Sequence, residues 1–158
     1  MLLPAHLTQP VLRRMTNLVL VSVEVDTAGI LDKLSSDKVS QVKEKGLSYA
    51  SQEMIRVLQR NSPVDHGLLK QWFLESLDDS EAVIKSPAAY AAWVNDGTQP
   101  YIIEPVSKKA LYWEGADHPV KMVHHPGIKG QHFVEDSISD VEGRLAGYFL
   151  KALSEVLG

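Results

Sequence analysis

Residues 86–98, SPAAYAAWVNDGT, carry the signal around which the rest of the chain is ordered. Ser86 can cap a first helical turn through its hydroxyl, and Pro87 suits the first helical position, where a missing N–H costs nothing. Gly97 can take the left-handed conformation that closes a helix, behind Asn95 and Asp96. Between these ends Tyr90, Trp93, Val94 and Gly97 recur at three- and four-residue steps on one face. The spacing predicts a short central helix over 87–96. Its two aromatics are expensive to leave in water, so the helix is expected to dock through Tyr90 and Trp93.

Upstream, residues 18–25, LVLVSVEV, alternate with period two and present one fully apolar face, the pattern of a strand. Residues 1–17 hold two prolines and no period, and read as an N-terminal arm free to flex; Met15 is a possible second start. A short helical turn is expected through Leu34. A long helix follows over 37–60, where Val39, Val42, Gly46, Tyr49, Ala50, Met54, Val57 and Leu58 keep one stripe. Pro63 excludes helical geometry at Ser62. Beyond it SPVDHG makes a turn, residues 68–76 read as a strand, Asp78-Asp79-Ser80 as a hairpin turn, and residues 81–86 as the returning strand.

Downstream of the central helix, Pro100 and Pro105 pin an extended segment. Residues 108–113 and 120–124 read as a second hairpin, and HPGIKGQ as a connection needing unusual dihedrals at Gly127 or Gly130. From 133 to 157 an apolar period near 3.6 (Val134, Ile138, Val141, Leu145, Phe149, Ala152, Val156) predicts one long helix along a core. The fold class is α+β: a small, mainly antiparallel sheet flanked by two long helices, 37–60 and 133–157, with the short central helix between them. A single domain is expected over 18–158.

Composition narrows the function. The chain has 158 residues, 44% apolar and 23% charged, as ordinary globular proteins do. With no cysteine, disulfides and thiolate chemistry are excluded. The formal net charge is −4 and the cations are scattered, which argues against specific nucleic-acid binding. No apolar run is long enough to span a bilayer, and the first fifteen residues lack the order of a signal peptide.

Little in the chain points to catalysis. Asp65-His66-Gly67 has the Asp-x-Gly form of an aspartic-protease loop, but without a second copy it reads as a turn. His118, His124, His125 and His132 lie within fifteen residues and are zinc-ligand candidates. Adjacent strand histidines point to opposite faces, however, and no carboxylate stands by as a base. No catalytic residue, cofactor site or metal site is assigned; a small metal-dependent enzyme using His118, His124 and His132 stands as the alternative. Tyr101, Tyr112 and Trp113, set among prolines, are candidate interface anchors.

The order of segments resembles one family. After a long helix, Pro63-Val64-Asp65-His66-Gly67 is similar to a Pro-Val-Asp-Thr-Gly turn into a strand. The run through Tyr90, Trp93, Val94, Asn95, Gly97 and Thr98 resembles Tyr-Ala-x-x-Val-Glu-x-Gly-Thr. Ile103-Glu104-Pro105 and Lys109-Ala110-Leu111 follow. Then Pro126, Gly127 and Phe133 fall as in His-Pro-Gly-x-x-x-x-Pro-Phe before a C-terminal helix. His66, Asn95 and His132 stand where the pattern has threonine, glutamate and proline. These segments resemble the tail-component family of tailed phages and prophages, which includes head–tail joining and tail-completion proteins. The resemblance implies a non-enzymatic virion protein, assembled in the bacterial host cytoplasm as a ring, six-fold, at the head-proximal end of the tail. Its partners would be itself and neighbouring tail and head-connector proteins; DNA would pass through without specific binding, and no membrane is involved. A prophage-encoded protein that binds a host component is a further alternative.

Overall fold

Helix α1, Ser36–Asn61, is the spine of the fold. Ser35 precedes it in an extended conformation, Asp37 sits in the first turn and Arg60 in the last, the charge order that complements a helix dipole. Ser62 ends it: the Ser62 N–H and hydroxyl both donate to the Leu58 carbonyl, at 2.8 and 2.6 Å. Val42, Leu47, Ala50, Met54, Val57 and Leu58 form its buried stripe. The computed structural model describes residues 11–15, 20–24, 35–64 and 67–158; the turn expected through Leu34 and the motif residue Asp65 lie outside them.

The architecture is α+β, with helices beside a four-stranded antiparallel sheet of order β1-β2-β4-β3. Its strands are β1 Val11–Met15, β2 Leu20–Glu24, β3 Phe73–Leu77 and β4 Glu81–Lys85. Part of the expected arm is therefore sheet. Val11 pairs with Glu24 and Met15 with Leu20, so a start at Met15 would delete β1. The arm has no readable period because five residues are too few to establish one. In β4, Ala82 and Ile84 are buried while their neighbours are half-buried, the alternation of a one-sided strand.

The strand expected over 68–76 begins late. Gly67 takes φ 80° and opens a 3-10 turn, Leu68–Lys70, closed by Lys70 N–H to Gly67 O at 3.2 Å. That turn buries Leu69 and Trp72, three residues apart. The β3–β4 hairpin turn is as expected, and Asp78 fixes it by accepting from the Ser80 N–H at 2.7 Å and the Glu81 N–H at 2.8 Å.

The long C-terminal helix is two helices, α3 Phe133–Glu142 and α4 Leu145–Leu157. At the break Arg144 N–H bonds back to Val141 O, three residues away, at 2.9 Å. Its guanidinium takes the Asp140 carbonyl left over, at 2.8 Å, and Glu53 of α1 at 2.6 Å. The apolar period runs through the break because both halves pack on α1. Gly143 is the local cause, as glycine is a poor helix former.

α1 and α4 approach closely where Gly46 meets the Phe149 ring: a Cβ at Gly46 would lie within 2.3 Å of it. Beside this contact Glu155 accepts from Lys45 and Tyr49, both at 2.7 Å. Those bonds, Lys45 first, hold its carboxyl below the ordinary range. Buried polar groups are likewise paired. Trp72 Nε1–H donates to Ser62 Oγ at 2.9 Å, and Ser137 Oγ donates to Phe133 O at 2.6 Å.

Where one domain is expected over 18–158, the chain divides into two compact units: Met1–Ala91 with Phe133–Gly158, and Ala92–His132. No helix among the described residues is long and apolar enough to cross a membrane.

Candidate functional site

The central helix starts later than its sequence suggests. Ser86 Oγ accepts the Ala88 N–H at 3.2 Å, a turn that consumes the expected cap, and α2 spans only Ala91–Asp96. Ala91 and Asn95, four apart, are its buried positions. Trp93 lies between them in sequence and on the other side of the helix, 61% exposed. Its expected role as a core anchor is thus corrected; Tyr90 is half-buried.

Beyond α2 the second unit is built as an antiparallel ribbon. β5 Gly97–Thr98 pairs with β8 Ile128–Lys129, and β6 Tyr101–Ile103 pairs with β7 Val123–His125. Both pairs share one register: Gly97 faces Lys129, and Ile103 faces Val123. The hairpin expected between 108–113 and 120–124 survives only as the bridge Leu111–Val120; residues 123 and 124 pair with 102 and 103 instead. A β-ladder selects partners along its whole length, and the strand after Pro100 offers a longer match than KKALYW.

The base of the ribbon brings together two motifs that lie thirty residues apart. Gly97 has φ 78°, and a Cβ there would fall 2.3 Å from Ile128 O. Gly127 has φ 87°, and its Cβ would fall 2.2 Å from Thr98 O. Thr98 Oγ1 accepts the Ile128 N–H at 3.0 Å, and His125 Nδ1 accepts the Gly127 N–H at 3.1 Å. The same histidine stacks on Tyr101, ring centroids 4.7 Å apart. Glycine is required at both positions by backbone approach as well as by dihedral. The left-handed conformation expected at Gly127 or Gly130 occurs at Gly127, with a second at His132, φ 52°. The Gln131 and His132 amides close on Val94 O and Asn95 O, at 3.1 and 2.9 Å, satisfying carbonyls at the end of α2.

Above this base the ribbon is apolar and open. Tyr101, Tyr112 and Trp113, the sequence-derived interface candidates, are all exposed, Tyr112 to 69%. Ile102, Val106 and Met122 join them. These aliphatic residues were not singled out from sequence; strand alternation at Ile102 opposite His124 was the available signal. Six such side chains present on the order of 700 Å² of surface, since a fully covered aromatic alone buries about 150–250 Å².

The remaining motif residues serve structure. Pro63 follows the α1 cap, Gly67 opens the 3-10 turn, and Phe133 is buried edge-on to Trp72 at 6.4 Å. His118, His124 and His132 are not gathered: among the described residues no group of three histidines or carboxylates is placed to hold a metal ion. The metal-enzyme alternative therefore has no geometry to stand on. No known protein family, curated protein or solved structure matches the chain.

Proposed function

We propose that this chain is a structural protein of a tailed phage or prophage virion. In this reading it assembles as a ring at the head-proximal end of the tail, contacting copies of itself and neighbouring tail and connector proteins while DNA passes through. The observation that carries the reading is the ribbon. A two-stranded ribbon is marginal in water, and exposed apolar surface of this size is characteristic of proteins that are covered by a partner. The two motifs through which the sequence resembles tail components, at Gly97-Thr98 and Pro126-Gly127, also build one feature, the ribbon's base.

The test is a deletion of the gene in the phage or prophage that encodes it. Electron microscopy of the lysate should show filled heads separate from tails, with infectivity restored by the intact gene in trans. Normal infectious particles from the deletion strain would refute the reading.

A further inference from the structure

A closed ring of identical subunits needs two different surfaces on each copy, because its contacts are head-to-tail. The ribbon supplies one. The other is on the helical unit, where α4 has an apolar face beyond the one it buries. Leu145 and Ala152 are buried, whereas Ala146, Leu150 and Leu157 recur on the adjacent side and are exposed, Leu150 to 66%. These positions follow helical spacing and mark a stripe about 16 Å long.

The preceding helix adds charge. α3, FVEDSISDVE, has four carboxylates and no cation in its ten residues, with Asp136 and Glu142 on its exposed side. The ribbon carries the complement, as Lys108, Lys109 and Lys121 are all exposed near its aromatics.

Resting on the ring reading above, we propose that the α3–α4 surface of one copy receives the ribbon of the next. Lys108, Lys109 and Lys121 face the α3 carboxylates, and the aromatic and aliphatic side chains cover Leu150 and Leu157. Area supports this occupant over a second α4. A stripe about 16 Å long and roughly 10 Å wide offers on the order of 160 Å², far below the about 800 Å² per partner of a stable interface. The ribbon's exposed apolar surface is of the required order.

Because the chain has no cysteine, cross-linking starts without background. Val106→Cys and Leu150→Cys change exposed side chains and leave the core intact. Treated with a short bis-maleimide at millimolar concentration, the double variant should give a ladder of covalent multimers. The two single variants should link to each other when mixed, and neither to itself. Dimers of Leu150→Cys alone would mean that α4 pairs with α4. Linked monomers without a ladder would mean that the ribbon covers its own chain, and an absence of links would mean no such contact. Each of these overturns the proposal. Lys108→Glu with Lys109→Glu should reduce the ladder at least tenfold, and Asp136→Lys with Glu142→Lys should restore it; failure of the swap to restore it overturns the ionic pairing. The ring reading is judged separately by particle morphology. A tail defect without a ladder refutes only this docking, and a ladder with normal particles refutes only the tail assignment.

Discussion

Replacing Trp72 by alanine should nearly exhaust the stability of the helical unit, whereas replacing Trp93 should leave it unchanged. Trp72 is 4% exposed, meets Phe133 edge-on at 6.4 Å, and donates Nε1–H to Ser62 Oγ at 2.9 Å. Truncation of a buried tryptophan costs about 3–5 kcal/mol through lost transfer energy and the cavity left behind. The lost hydrogen bond adds about 0.5–1.5 kcal/mol, and no larger penalty follows because Ser62 still donates to Leu58 O. Against a total of about 5–15 kcal/mol the loss is severe. Trp72→Phe keeps a ring against Phe133 and should cost about 1–2 kcal/mol. Trp93→Ala removes an exposed side chain and should fall within about 0.5 kcal/mol. Urea unfolding followed by far-UV circular dichroism reads helix loss without depending on the residues replaced. A cost above about 2 kcal/mol for Trp93→Ala, or below about 1 kcal/mol for Trp72→Ala, would refute this division of labour.

Gly46→Ala gains about 1 kcal/mol of helix propensity but forces a Cβ within 2.3 Å of Phe149. At an overpacking cost of about 1–3 kcal/mol the net effect should be a loss, reversing to a gain in a Phe149→Leu background; thermal melts of the four variants check both signs. Glu53 is held below its ordinary value of 4.5, mainly by its hydrogen bond from Arg56 and further by that from Arg144. A lowered carboxylate stabilises above its unfolded value, so this contribution is full above pH 4.5 and is lost as pH falls through the folded value. Glu53→Gln should flatten stability against pH in that acid range and leave its slope near neutrality unchanged. Gly127→Ala places a Cβ 2.2 Å from Thr98 O at φ 87°. Hydrogen exchange should show lost protection at Ile128 and the β6–β7 amides with α1 unaltered; protection retained throughout would mean that the ribbon's base does not require glycine.

The helices were legible because their signals are long. Eight apolar positions fix α1 to within one residue at each end. The C-terminal stripe was equally clear and equally misleading, since hydrophobic period reports which face meets the core and says nothing about backbone continuity. Gly143 was the available sign of a break, but an isolated glycine is tolerated in many helices. What stitches the break, the Arg144 guanidinium on Asp140 O and on Glu53 ninety-one residues away, is tertiary and has no local signature. At α2 a local rule won over another. Ser86 could cap a helix or close a turn on Ala88, and it closes the turn. With the start displaced, Ala91 and Asn95 take the inner side and Trp93 the outer.

The ribbon shows a different kind of limit. Its residues were read correctly as extended and turn-rich, and Tyr101, Tyr112 and Trp113 were recognised as out of place in a core. The error was in pairing. Residues 120–124 lie seven positions beyond Trp113 and twenty beyond Tyr101, and closure entropy favours the nearer partner only weakly, since it grows with the logarithm of loop length. A few hydrogen bonds in continuous register offset that difference. The same register runs from Gly97–Lys129 to Ile103–Val123, across Gln99-Pro100 on one strand and Pro126-Gly127 on the other. Proline donates no ladder bond, so each strand carries its interruption opposite the other's. The ladder is broken once where two separate prolines would have broken it twice. That placement allows a ribbon with both faces partly open to hold its register, and so to offer Ile102, Tyr112 and Trp113 to a partner as a defined surface.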